Sequence, residues 1–311
     1  MATVATAAVV AHLFGDRRTV APTAEPARAS PAAAGDAAST YRPRAPAEAS
    51  QPRDAATGGL WDAVTAGDAA RVSQLLSQGA DPDVIGPDGR TPLMLAVSAQ
   101  RPDIVSLLLR FRTNPDAVDA EGRTALAVAI ETGSGEAVAA LLQAGAGLVT
   151  PPGGEALLVT AIRAGADDVA LDLLQRGAPV NDGRGEGDTP LVAALTDGSV
   201  DLVEALLAAG ADVNARDGGG TPLALAVDVG EPRFVVALLL HGADPDTPTD
   251  TGTVLTDAVR AGDRESVAAL LRHGADPGIR DADGQTPLAI ARAEGLGDIA
   301  YLLEVAAGTA Q

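Results

Sequence analysis

The stretch at 189–218, TPLVAALTDGSVDLVEALLAAGADVNARDG, constrains this chain more than any other feature, because it encodes two helices that are each too short to stand alone. Thr189 is an N-cap by type, Pro190 sits at the first helical position where a missing N–H costs nothing, and Leu191 with Leu195 opens an apolar stripe. Gly198 interrupts that stripe. Leu202, Val203, Leu206 and Leu207 then mark a second amphipathic helix, which Gly210 closes as a left-handed cap. Helices of roughly two or three turns are marginal in water, so each must be buried against neighbours built the same way.

Such neighbours are present. The position of Thr189 recurs as Thr91, Thr124, Glu155, Thr221, Thr253 and Thr286, giving starts separated by 33, 31, 34, 32, 32 and 33 residues. Ala63 and Val64 stand 33 residues before Ala96 and Val97, which adds a first unit and makes eight, beginning near residue 58. The recurring pieces are TPLM at 91, TALA at 124, TPLV at 189, TPLA at 221, TVLT at 253 and TPLA at 286, with GAD at 79, 210, 242 and 274. In these motifs the chain resembles the ankyrin repeat family, whose unit runs TPLH, a Gly between two helices, LL, GAD and a finger ending in DG. The resemblance implies an all-α solenoid of about eight helix-turn-helix units with short β-hairpin-like fingers, over residues 58–306, followed by a tail at 307–311.

Departures from the pattern carry their own expectations. The TPLH histidine, which links neighbouring units in the family, is replaced by Met94, Ala127, Val192, Ala224, Thr256 and Ala289, so apolar contacts are expected to carry more of the coupling. Trp61 is expected to cover the first helix pair. Arg112, Thr113 and Asn114 replace Gly-Ala-Asp, which predicts a displaced loop. The third finger is short and holds Pro151-Pro152, and the fourth unit starts on Glu155 without Thr-Pro, so the array is expected to open first around residues 145–160.

Composition agrees with thin stacked layers: aromatics make up only 2% of the chain, while Ala, Leu and Val abound. The absence of cysteine excludes disulfides and thiolate chemistry. All 22 basic residues are arginine, and the Arg, Ala, Gly and Pro bias suggests a bacterial genome of high GC content. Residues 1–57 hold six arginines against five acids, which leaves 16 arginines against 37 acids, net −21, in the remainder of a chain of net −20. That field disfavours nucleic acid and anionic lipid and favours a basic protein partner, although solubility alone explains it equally well. Residues 1–57 are rich in Ala, Pro, Ser and Thr and read as a disordered extension, with residues 2–14 as a weak signal or anchor candidate. The repeats themselves carry no membrane-inserting run, and a cytoplasmic monomer is expected, with export or membrane tethering through the N-terminal segment as the alternative.

No motif for catalysis emerges. His241 and His273 repeat one position, but stacked helices lie about 8–10 Å apart and a cation at a helix C-terminus is favourable in itself. Asp281, Asp283 and Gly284 begin like a calcium loop, then fail it at Gln285 and Thr286. The glycines 183, 185 and 187 lack a following Lys-Ser or Lys-Thr, and the acid pairs Asp81 with Asp83 and Asp244 with Asp246 fit turn formation. No catalytic residue, metal or cofactor is expected.

What remains is a surface. In the ankyrin family the finger tips and the exposed face of the first helices line a concave groove that contacts partner proteins. By position the resemblance places there Asp88, Arg90 and Ser98; Glu121, Arg123 and Glu131; Glu186, Asp188, Thr196 and Asp197; Asp228 and Val229; Arg260; and Asp283, Gln285 and Arg292. Each of these, taken singly, also reads as an ordinary solvated residue. The expected function is a non-enzymatic protein-interaction scaffold; the alternative is a regulatory subunit or fragment of an enzyme or toxin system whose catalytic part is on another chain.

Overall fold

Eight helix pairs follow one another in the computed structural model, which describes residues 55–86, 88–183, 189–216 and 220–308. The first helices of the pairs are α1 (Ala55–Thr65), α3 (Pro92–Ser98), α5 (Ala125–Glu131), α7 (Leu157–Arg163), α9 (Pro190–Asp197), α11 (Pro222–Val229), α13 (Val254–Arg260) and α15 (Pro287–Ala293). The second helices are α2 (Ala69–Ser77), α4 (Pro102–Arg110), α6 (Gly135–Gln143), α8 (Asp167–Gln175), α10 (Val200–Ala208), α12 (Pro232–Leu240), α14 (Arg264–Arg272) and α16 (Gly297–Ala306). Helix α1 thus starts three residues ahead of the boundary expected at 58. The fingers connect each second helix to the next first helix, and among the described residues they hold isolated bridges, Val118 with Thr124 and Pro248 with Thr253, rather than strands.

The starts are made as the sequence suggests. The hydroxyls of Thr91, Thr124, Thr189, Thr221, Thr253 and Thr286 each accept the N–H three residues on, a cap of about 1 kcal/mol. Helix α7 differs. Its N-cap is Ala156, not Glu155, so the steps from Thr124 to Ala156 and on to Thr189 are 32 and 33. Glu155 precedes the helix and reaches forward to it, accepting from Thr160 Oγ1 at 3.2 Å and pairing with Arg163.

Apolar side chains from both helices of each pair fill one continuous core, in which Leu93, Met94, Ile104, Leu126, Leu141, Leu158, Leu173 and Phe234 are wholly buried. Each first helix packs on its own second helix and on the next first helix, so the core grows by addition along the stack. At the N-terminal end the indole of Trp61 lies over Gly86 of the first finger, where a Cβ would come within 2.3 Å of the ring.

The loop at Arg112 is not displaced. Arg112 itself adopts the left-handed conformation, φ 57°, that Gly79 and Gly210 supply in their units, and Thr113 turns inward to donate to the Leu108 carbonyl at 2.7 Å. An L-residue can enter that region at a cost of about 1–2 kcal/mol, and the surrounding contacts hold it there.

Coupling between units is not left to apolar contacts. The carboxamide or carboxylate oxygens of Asp83, Asp116, Asn181, Asn214 and Asp246 accept the backbone N–H groups of Asn114, Gly147, Asp212, Asp244 and Asp276, at 2.7–3.0 Å. These bonds form a ladder across the starts of the fingers, one rung at each of five of the seven junctions. Hydrogen bonding that the TPLH position cannot supply is thereby replaced. The ladder is interrupted between the third and fourth units, where its two positions are Val149 and Pro179.

Candidate functional site

Fingers meet the last turns of first helices at two places, Arg123 with Glu131 of α5 at 3.3 Å and Asp281 with Arg260 of α13 at 2.5 Å. Ser98, Glu131, Arg163, Thr196, Asp228 and Arg260 hold equivalent places, seven residues after their N-caps. The hydroxyls of Ser98 and Thr196 bond back to the carbonyls of Met94 and Val192, both at 2.9 Å, while Asp197, Asp228 and Val229 are exposed at the C-terminal ends of α9 and α11. Arg163 belongs to this row and was hidden from the sequence by the one-residue slip at Glu155.

Two fingers are built on a buried carboxylate. Asp119 has no exposed side-chain surface; Oδ1 accepts the N–H groups of Glu121 (3.1 Å) and Arg123 (2.8 Å), and Oδ2 accepts Arg123 Nε (2.9 Å). Arg123 also meets Glu131 at 3.3 Å and Glu121 at 3.6 Å. The Asp119 bond raises the Arg123 pKa further above its ordinary value against the opposing effect of burial, so the guanidinium stays charged. Asp281, equally buried, accepts from Asp283 N (3.0 Å) and Gln285 N (2.7 Å), but its guanidinium comes from the first helix of its own unit, Arg260 of α13 at 2.5 Å. In the first finger the same place is Gly86 under Trp61, and Asp88 pairs with Arg90 at 3.0 Å in a more open setting. Neither Asp119 nor Asp281 stood among the candidates; an Asp five residues before Thr124 and Thr286 was the available signal.

The structure changes the role of several candidates. Arg90, Arg123 and Arg260 are each held by carboxylates of the chain, and Asp283 and Gln285 are exposed around Asp281. Arg292 is not on the groove row. It stands six residues after its N-cap, at the place where Val97, Ile130, Ile162, Leu195, Val227 and Val259 are buried in other units, and it pairs with Glu304 of α16 at 2.6 Å. Glu186 and Asp188 lie outside the described residues. A shallow cleft opens between α5 and α7, lined by Arg123, Ala127, Glu131, Thr150, Glu155 and Thr160.

The histidines are explained locally: Nδ1 of His241 and of His273 donates to the carbonyls of Ala237 and Ala269, both at 2.9 Å, closing their own helices. Among the described residues no group of three or more His, Asp and Glu is placed to hold a metal, and no helix is long and apolar enough to cross a membrane.

A family model for ankyrin repeats, in three copies, matches residues 60–151, 157–249 and 223–309, with the break at 152–156 falling in the third finger. No curated protein matches the chain. Ankyrin repeats are in general protein–protein interaction modules and are typically non-catalytic. Capped helix pairs, left-handed closures and the family match over most of its length agree, and the chain belongs to the ankyrin repeat family.

Proposed function

We propose that the chain is a non-enzymatic scaffold that binds a partner protein along the side formed by finger tips and first helices. One observation carries this reading. The backbone repeats almost unchanged from unit to unit, while the row Ser98, Glu131, Arg163, Thr196, Asp228 and Arg260 changes in size and charge at every step, as a surface free of packing duty can. Glu121, Asp197, Asp228 and Asp283 are exposed there, whereas Arg90, Arg123 and Arg260 are already engaged by carboxylates, so a partner meets a mostly acidic face and a basic segment fits it. Such binding weakens with added salt, because exposed charges are screened beyond about 10 Å at 0.1 M ionic strength.

The test is site-directed photo-crosslinking in the source cell, with the photoreactive residue at Asp228 or at Glu204, which is exposed on the second helix α10. Adducts to a defined protein from Asp228 and not from Glu204, weakened by Asp197→Lys, are the expected result. Equal labelling from both positions, or labelling from Glu204 alone, rules the assignment out.

A further inference from the structure

The junction between the third and fourth units differs from its neighbours in three ways. The rung is missing on both sides, since Val149 offers no acceptor and Pro179 has no N–H to donate. Consecutive second helices lie against each other along the array, and α6 and α8 do so least. Helix α8 also buries only Ala170 and Leu173 fully, against four residues in α6 and in α10.

On the opposite side the junction is closed. Helices α5 and α7 pack together, and the second and third fingers touch backbone to backbone: a Cβ on Gly122 would fall 2.8 Å from Gly154 N, and one on Gly154 would fall 2.5 Å from the Gly122 carbonyl oxygen. One side is thus in close contact while the other is the loosest of its kind in the array. That is the arrangement of a spine and an opening edge.

We infer that this junction is a hinge: units one to three and units four to eight are two stiff blocks that rotate about the line formed by the α5–α7 contact and the Gly122–Gly154 contact. Rotation brings α6 and α8 together or apart, and it reshapes the cleft between α5 and α7, whose walls belong to different blocks: Arg123 and Glu131 to one, Glu155 and Thr160 to the other. If the finger-tip side binds a protein, as proposed above, a partner touching both blocks selects one angle, and binding and hinge closure become coupled.

The hinge is tested on the full chain without a partner, so its outcome is independent of what the surface binds. The chain has no cysteine, and spin labels can be placed at two exposed pairs with equal separation in units. Ala70→Cys with Asp201→Cys spans the junction, from unit one to unit five; Asp168→Cys with Asp298→Cys spans units four to eight. A rotation of about 15°, typical of repacking interfaces, moves a label some 20 Å from the hinge by about 5 Å. Pulsed dipolar spectroscopy should give a distance distribution broader than the control pair's by about that amount. Installing both halves of the rung, Val149→Asp with Pro179→Asp, should narrow it to the control width, while Val149→Asp alone should not. Equal widths in the unmodified chain overturn the inference, and so does a broad distribution that the double substitution leaves unchanged.

Discussion

Replacing Asp119 should cost more than its place in a surface finger suggests. Its carboxylate accepts two backbone N–H groups and two guanidinium N–H groups with no exposed surface of its own, whereas Arg123 keeps a third of its side chain in solvent. A hydrogen bond to a charged group contributes about 1.5–3 kcal/mol, but a guanidinium that can turn to water and to Glu131 recovers part of the loss. The two backbone donors have no such recourse. We therefore expect Asp119→Ala to destabilise the array by about 2–3 kcal/mol, and Asp119→Asn, which keeps an acceptor for both N–H groups, by about half that.

A double-mutant cycle isolates the ion pair. Asp119 with Arg123 should show a coupling of about 1–2 kcal/mol, and the more exposed pair Asp88 with Arg90 no more than about 0.5 kcal/mol. Urea unfolding gives these values if the slope stays constant among variants. Because repeat arrays can lose cooperativity, amide exchange at Glu121 and Arg123 supplies the local opening energy independently. Should Asp119→Ala prove no costlier than Asp88→Ala, the buried carboxylate is not what holds this finger, and the reasoning fails.

Arg112→Gly should stabilise the protein by about 0.5–1 kcal/mol, the left-handed penalty less the extra freedom glycine has when unfolded; a lower urea midpoint contradicts this. Its counterpart Gly210→Ala, at φ 89° with open space around the added methyl, should cost about 1 kcal/mol in the same assay. Ser266 presents a buried Oγ without a hydrogen-bond partner at a place where other units have Ile104, Leu202 and Phe234, so Ser266→Ala should be neutral or stabilising in thermal melts. The Asp103 carboxyl is held below its ordinary pKa by hydrogen bonds from Arg101; Arg101→Gln should raise it in an NMR titration. The pair's contribution is present above the unfolded-state carboxylate value and fades as pH falls through the lower folded one.

How much of this was legible follows from where each signal lives. Thr-Pro starts and left-handed glycines act within one unit, so sequence alone placed nearly every helix. Glu155 misled because a polar residue just before an apolar run looks like a cap; the register is set instead by Leu157 and Leu158, which bury where Ala125 and Leu126 do. Arg292 was assigned to the row by position, but it stands six rather than seven residues after its N-cap Thr286, where six other units bury an apolar side chain. The row of positions closing the first helices was legible in outline, but which arginines in it are already bound by carboxylates was not, since Arg260 finds its partner 21 residues away.

The ladder shows the same divide most sharply. Asp81, Asn114, Asp212, Asp244 and Asp276 each accept the N–H two residues on, the local turn that their spacing announces. The residue two places on, where it is Asp or Asn, then accepts from the next unit, 30 or 31 residues further along, and only stacking brings that donor near. A turn motif and an inter-unit bond thus share the same residues, and the second role is invisible until units are in register. Its absence is easier to read than its presence, because a proline at the donor and a valine at the acceptor forbid the bond whatever the fold. Each rung is worth about 0.5–1.5 kcal/mol, which is small beside the core but comparable to the difference between one junction and the next. In a stack whose cohesion is a sum of nearest-neighbour terms, the junction that lacks a rung and has the loosest second-helix contact is the one expected to yield first, and the irregular third finger at 147–155 marks it in the sequence.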